Sequence, residues 1–124
     1  APQKGTITVT KEGEVFSHVT EAGGIYQPQY ETKGLPNAVY DIMALEDIVT
    51  PDGTIRAKAG ELVDTLTTGS KGTDTSEPLY LGRYQVLERK APEGMVLDPE
   101  PKEVVFVLRG TGSLRHEHRR QLLR

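Results

Sequence analysis

LGRYQVLERKAPEGM, residues 81–95, is the stretch that decides the fold of this 124-residue chain. Its first half alternates as a β-strand that carries Tyr84, Val86 and Glu88 on one face. If that face points into the core, Glu88 must be neutral, paired or a reactant, because an isolated buried carboxylate is costly. The opposite interpretation, with Leu87 inward and Glu88 in water, stays open from the alternation alone.

A second alternating stretch, GTITVTK at residues 5–11, ends in a lysine. Ile7 and Val9 alternate with threonines, so a strand here has Ile7, Val9 and Lys11 on its inner side. Lys11 and Glu88 are then two lone ionisable groups at the ends of two apolar faces, and each could compensate the charge of the other. The alternative is that Lys11 lies just past the strand and reaches solvent along its aliphatic stem.

Length and composition favour one all-β domain. Hydrophobic residues make up only 35% of the chain, with no Trp and two Phe, so the core must be thin. Thirteen Gly and eight Pro lie between short alternating runs, which predicts a β-sandwich of about seven strands. We expect at most one helical turn, near residues 45–48. The absence of Cys excludes disulfides, thiol nucleophiles and thiolate metal sites.

Turn residues separate the predicted strands. Pro28 demotes residues 25–30 to an edge or loop segment, while Pro51 and Gly53 stand where a hairpin turn needs them. Residues 15–19 either extend the first strand or begin a hairpin. The other predicted strands are residues 5–11, 38–45, 62–68, 79–87 and 103–108.

The charge is unevenly distributed. The chain has a net charge of −3, but residues 109–124 hold five Arg and one Glu, a net of +4, which leaves −7 for residues 1–108. An acidic body without a basic stripe argues against nucleic acid as a partner. No apolar run is long enough to span a membrane and no signal segment opens the chain, so we expect no membrane insertion and interpret the sequence as a piece of a larger protein.

Common catalytic and ligand-binding motifs are missing. The sequence contains no Gly-x-Ser-x-Gly, no phosphate-binding loop and no Gly-x-Gly-x-x-Gly before a helix. Its aspartates lack calcium-loop spacing. His116 and His118 flank Glu117, but two histidines on a terminal tail are more often solvated than metal-bound. We therefore expect no cofactor and no metal.

Three segments together resemble a known family. Lys11 at the end of an Ile-Thr-Val-Thr-Lys strand, LPNAVYDI at residues 35–42 and YQVLERKAPEG at residues 84–94 occur in an order that resembles the collagen-adhesin B-type domain. This is the prealbumin-like, or SpaA-like, module of Gram-positive pilins and surface adhesins. The resemblance covers residues 5–108, with Glu-x-x-Ala-Pro-x-Gly its most specific part. It implies a Greek-key β-sandwich, immunoglobulin-like, whose first and last strands are neighbours.

The resemblance also implies a chemistry for two residues. Domains of this family typically form an isopeptide bond between the strand-one lysine and an Asn or Asp of the last strand, so Lys11 would be the nucleophile and Glu88 the proton-shuttling carboxyl. Burial favours the neutral amine of a lysine and the protonated form of a glutamate, and both suit that reaction. The bond-forming reaction occurs once per molecule without turnover, so we do not expect this chain to be an enzyme.

The acceptor of that bond is missing from the pattern. Asn37 is the only Asn of the chain, and its position favours a turn; no Asn or Asp occurs after Asp98. If residues 120–121 match the end of the family's closing run, His118 stands at the acceptor position, and imidazole offers no acyl carbon. We therefore expect no cross-link at Lys11.

We divide the chain into a collagen-adhesin B-type sandwich at residues 1–108 and a basic tail at residues 109–124. Three explanations of the tail stay open: a non-native end, a degenerate last strand, or a functional basic segment for an anionic partner.

Two functional hypotheses follow from these residues. The first is a structural stalk or spacer module of a secreted, cell-wall-attached surface protein, with neighbouring domains as its partners and with signal and anchor outside this fragment. The alternative is an adhesive module that binds host protein or carbohydrate, or an incomplete domain that accepts a strand, with an Asn or Asp, from another chain.

Overall fold

The computed structural model describes residues 3–108 and 114–118, and every regular element within them is a β-strand. None of these residues belongs to a helix that could cross a membrane. The strands, in chain order, are β1 (Lys4–Gly5), β2 (Thr8–Thr10), β3 (Glu12–Ala22), β4 (Ile25–Gly34), β5 (Val39–Ala44), β6 (Ile48–Val49), β7 (Ile55–Ala57), β8 (Leu62–Thr67), β9 (Thr73–Thr75), β10 (Leu79–Tyr80), β11 (Gly82–Lys90), β12 (Lys102–Leu108) and β13 (Leu114–His118).

Five strands form the main antiparallel sheet, in the order β13-β12-β11-β5-β8. At its centre, Tyr84 of β11 pairs with Val104 of β12 and with Ala44 of β5. Alternate residues of each strand enter the core because successive side chains point to opposite faces of a sheet. The buried apolar residues of this face are Tyr40, Ile42, Ala44, Leu66, Tyr84, Val86, Val104 and Phe106.

Short two-stranded ribbons form a second layer over that face. β1 pairs with β10, β2 with β9 and β6 with β7. Ile7, Val9, Ile48 and Leu79 of this layer join the residues of the main sheet in one core. β1 also lies beside β13. The chain is therefore an all-β sandwich in which the first and last described strands are neighbours.

The structure has more strand segments than the alternation predicted, because extended stretches change partners along their length. Residues 4–10 pair first with β10 and then with β9, and the stretch from residue 79 to 90 divides at Leu81 into β10 and β11. Where at most one helical turn was predicted, Leu45 and Glu46 form a bend that leads into β6.

Proline, glycine and asparagine marked the turns correctly. Gly53 adopts a φ of 86° in the turn that closes the β6–β7 hairpin. Asn37 adopts a φ of 71°, a left-handed conformation that Asn tolerates better than most residues. Asn37 therefore lies in the irregular connection between β4 and β5, and its backbone conformation suits the turn role expected for it.

β3 and β4 form a long hairpin that pairs with no other strand in the described part of the chain. Residues 15–19 thus belong to a hairpin rather than to the first strand. Pro28 lies within β4, so residues 25–30 form an edge strand, as predicted. Gly23 and Gly24 make the turn with φ values of 59° and 82°.

The boundary drawn at residue 108 stays a prediction. The backbone of β13 pairs with β12, with His118 opposite Val104 and Leu114 opposite Leu108. The rest of the tail, residues 109–113 and 119–124, lies outside the described residues, and so does the match proposed for residues 120–121.

Candidate functional site

Lys11 lies immediately after β2 and continues the inward alternation of Ile7 and Val9. Its backbone N–H donates to the Gly72 carbonyl oxygen at 2.8 Å, and its carbonyl oxygen accepts from the Leu35 N–H at 2.8 Å. These bonds hold the residue in line with the strand, so its side chain enters the sandwich. Only 9% of the residue is exposed, and the alternative of a solvated Lys11 is wrong.

Glu88 reaches the same place from the main sheet. In β11 it follows Tyr84 and Val86 on the buried face and pairs with Tyr40 of β5. Its side chain has no solvent exposure. The interpretation that turned Leu87 inward and Glu88 outward is therefore wrong, and the structure brings the two predicted site residues together.

The two charged groups form a close pair. Lys11 Nζ lies 3.3 Å from both Oε1 and Oε2 of Glu88. Oε1 accepts a hydrogen bond from Nζ and a second, at 2.7 Å, from the backbone N–H of Asp98. Oε2 is buried and, although it is near the ammonium, accepts no hydrogen bond. The carboxylate therefore has one satisfied oxygen and one that faces the cation alone.

Two side chains near the pair have shifted pKa values. Burial raises the pKa of Tyr40 well above its usual value, and the charges of Glu88 and Asp98 raise it further. The Glu100 N–H that Asp98 accepts, aided by the charges of Lys102 and Lys11, holds the pKa of Asp98 below its usual range despite partial burial. Tyr40 thus stays neutral and Asp98 stays ionised over the physiological range.

This arrangement has a candidate nucleophile and a candidate proton shuttle within contact distance, and among the described residues no Asn or Asp side chain is paired with the Lys11 amine. In the described residues the carboxylate of Asp98 pairs with Lys102 at 3.6 Å, and Lys11 pairs with Glu88. Asn37 is held in its turn by a hydrogen bond from its N–H to the Thr68 carbonyl oxygen. The geometry directly supports a buried ion pair that joins the end of β2 to β11, the central strand of the main sheet.

Within the described residues there is no cluster of three or more His, Cys, Asp or Glu side chains that could hold a metal ion. The side chains of His116 and His118, considered above as ligands, lie outside the described residues.

Sequence reasoning missed Tyr40 and Asp98 as parts of the site. The alternation of its strand places Tyr40 on the same face as Ile42, but it does not say which residue of another strand Tyr40 will oppose. Asp98 belongs to a proline-rich connection, residues 91–101, that has no periodicity. Its N–H reaches Glu88 only because this connection folds back over β11.

One of three comparisons with known proteins supports this architecture. Neither the curated proteins nor the solved structures that were searched gave a match. The sequence does match the family described as SpaA, prealbumin-like fold domain, over residues 27–118, about three quarters of the chain. The matched region contains Glu88 and begins after Lys11. The chain therefore belongs to the SpaA prealbumin-like fold domains, which are modules of Gram-positive surface proteins.

Proposed function

We propose that this chain is a structural spacer module of a pilin-like, wall-attached surface protein, and that its Lys11–Glu88 pair works without covalent closure. The observation that carries the proposal is the ion pair itself, buried between the two layers at 3.3 Å with no Asn or Asp side chain paired to the amine in the described residues. The partners of such a module are the domains before and after it in the same surface protein, and it performs no turnover.

The location of the pair explains how it would serve a spacer. Lys11 follows β2 in one layer, whereas Glu88 lies in the central strand of the other. Separating the layers would leave a carboxylate without its cation while it is still largely buried, and that is strongly unfavourable. The pair therefore resists separation of the first strand from the sheet, although less than a covalent bond would.

Intact mass in denaturant tests the absence of a cross-link. We expect the mass calculated from the sequence. A mass lower by one water would reveal a bond from Lys11 to an Asp such as Asp98, and a mass lower by one ammonia would reveal a bond to Asn37; either result would overturn the proposal. Pulling the domain by its ends gives a second readout. An unlinked domain should extend by about 3.5 Å for every residue that unfolds, whereas a cross-linked domain would keep the residues between the two bonded positions from extending.

A second function is favoured by one observation, the buried Oε2 of Glu88 that accepts no hydrogen bond. An amide supplied by another chain could donate to this oxygen while its carbonyl carbon meets the Lys11 amine. In this reading the domain accepts a strand, with its Asn, from a partner, and the bond forms as ammonia leaves.

The His118→Asn variant tests the roles of Lys11 and Glu88 without requiring the partner. If residue 118 occupies the acceptor position, the variant should lose one ammonia, and the same change combined with Lys11→Met or Glu88→Gln should not. An unchanged mass in all three proteins would remove the support for an isopeptide role of this pair.

A further inference from the structure

The β3–β4 hairpin extends beyond the sandwich. Its strands contain 11 and 10 residues, a length of roughly 30 Å at the usual rise per residue. Most of its side chains are exposed, and it pairs with no other strand in the described residues. A two-stranded ribbon of this kind is marginally stable on its own in water. The apolar side chains that it exposes therefore require an explanation.

A bulge brings most of the large apolar side chains onto one face. Phe16 pairs with Tyr30, and after the irregularity at Ser17, Val19 pairs with Pro28. Phe16 and Val19 are three positions apart and would lie on opposite faces of a regular strand. Because a bulge inserts one extra residue, both fall on the same face, which we call the outer face. Its large apolar members are Phe16, Val19, Tyr26, Pro28 and Tyr30.

The opposite face of the hairpin is mostly polar, with Ile25 as its one large and well exposed apolar side chain among the described residues. It carries Gly13, Val15 and Gln29, which are the half-buried residues in the interior of the two strands. A side chain at Gly13 would meet the side chains of Met95 and Leu35, so the base of this face rests on the domain. Gly34, at the base of the outer face, lies against the backbone of Lys71, so both faces contact the domain at the base. Beyond the base, the large apolar side chains of the outer face are exposed to solvent.

The outer face exposes a sizeable apolar area. Phe16, Tyr26 and Tyr30 are 57%, 71% and 59% exposed, and Val19 is 50% exposed. With roughly 200 Å² for each aromatic side chain, these residues present about 450 Å² to water. Patches of this size on single domains are often interaction sites. Phe16 and Tyr30 meet edge to face at 6.2 Å, which holds their rings in a defined arrangement.

The charge on this face identifies its partner's chemistry. Glu12, Glu14 and Glu21 share the outer face with the aromatic residues, whereas the hairpin's one lysine, Lys33, pairs with Glu31 on the other face. Residues 12–34 carry four Glu and one Lys, a net charge of −3. Aromatic rings edged by carboxylates favour cationic side chains, through ion pairing and through cation–π contact.

We propose that the outer face of the β3–β4 hairpin is a docking site for a polypeptide segment whose apolar side chains are flanked by Lys or Arg. A second copy of this chain fits less well, because two outer faces brought together would oppose glutamates to glutamates. This site goes beyond the spacer function and does not depend on it, because none of its residues belongs to the Lys11–Glu88 site.

The probe for this site is a displayed library of random peptides, selected on the whole chain, from which the enriched peptides are synthesised and titrated. We expect enriched sequences with apolar centres and Lys or Arg flanks, and affinities that fall as salt rises. The Phe16→Ser/Tyr30→Ser variant should weaken binding at least tenfold. The matched control, Val49→Ser/Ile55→Ser, removes a different pair of exposed apolar residues and should leave the affinity unchanged.

A charge test keeps the proposal falsifiable if the serine variant unfolds the hairpin. Glu14→Gln should weaken binding several-fold, whereas Glu31→Gln, the same change on the opposite face of the same hairpin, should have no effect. The proposal is overturned if no peptide is enriched, if the enriched peptides lack cationic flanks, or if both glutamine variants behave alike. Self-association of the chain that Phe16→Ser/Tyr30→Ser abolishes would also overturn it, in favour of a second copy as the occupant.

Discussion

The Lys11–Glu88 pair gives the sharpest test of how this sandwich is held together. The perturbation is a double-mutant cycle made of Lys11→Met, Glu88→Gln and the two changes combined. Methionine keeps the length of the lysine side chain without its charge. Glutamine keeps the shape of the glutamate and leaves an oxygen for the Asp98 N–H, which lies 2.7 Å from Oε1.

The magnitudes follow from the exposure of the two side chains, which is 11% for Lys11 and 0% for Glu88. Lys11→Met leaves a carboxylate fully buried with one hydrogen bond, and it should cost about 3–5 kcal/mol of unfolding free energy. Glu88→Gln leaves an ammonium that can move its flexible stem towards solvent, so about 2–3 kcal/mol is expected. The double variant buries no unpaired charge and should lose about 1–2 kcal/mol, so the coupling energy should be about 5 kcal/mol.

Urea unfolding followed by far-ultraviolet circular dichroism measures these differences. For a domain of this size, a loss of 3 kcal/mol should move the unfolding midpoint by about 2 M. The matched control is the surface pair Arg89–Asp41, which are 57% and 21% exposed, and its cycle should give a coupling energy below about 1 kcal/mol. The reasoning is refuted if Lys11→Met costs less than about 1 kcal/mol, or if the two buried changes add independently.

Two further perturbations test the core and a backbone contact. Burial, together with the charge of Glu46, raises the pKa of Tyr84 to about 12 from its ordinary 10.0, so the unfolded chain loses this proton at a lower pH than the folded one. The free energy of unfolding should therefore be intact below pH 10 and fall between pH 10 and 12, and it should fall less steeply in Tyr84→Phe. Equal slopes of the two proteins in alkaline unfolding curves would contradict this. A Cβ at Gly34 would overlap the backbone carbonyl of Lys71, whereas one at Gly53 would meet no other atom, although φ there is 86°. Gly34→Ala should therefore lower the free energy of unfolding by about 3 kcal/mol or more, and Gly53→Ala by about 1 kcal/mol, as measured by thermal unfolding. Similar losses in the two variants would show that the close contact at Gly34 is relieved at little cost.

Much of the fold could be predicted because strand alternation is a local property. The alternation of β11 correctly placed Tyr84, Val86 and Glu88 on one face, and the turn at Gly53 follows from a backbone conformation that few residues adopt. The long hairpin was harder to predict. Its apolar residues change phase between Phe16 and Val19, and a bulge, which only strand pairing creates, is needed to bring them onto one face.

The sequence by itself determined that Lys11 and Glu88 each follow an apolar face, and it left the direction of each face open. The tertiary structure decided that both side chains point inward and meet at 3.3 Å. It also decided that the Asp98 N–H donates a hydrogen bond to one oxygen of the Glu88 carboxylate, and that the large apolar side chains of the hairpin's outer face are exposed to water. The physical reason is that alternation fixes a side chain only relative to its own strand. The partner opposite a charge depends on how distant strands pack, and no local pattern contains that information.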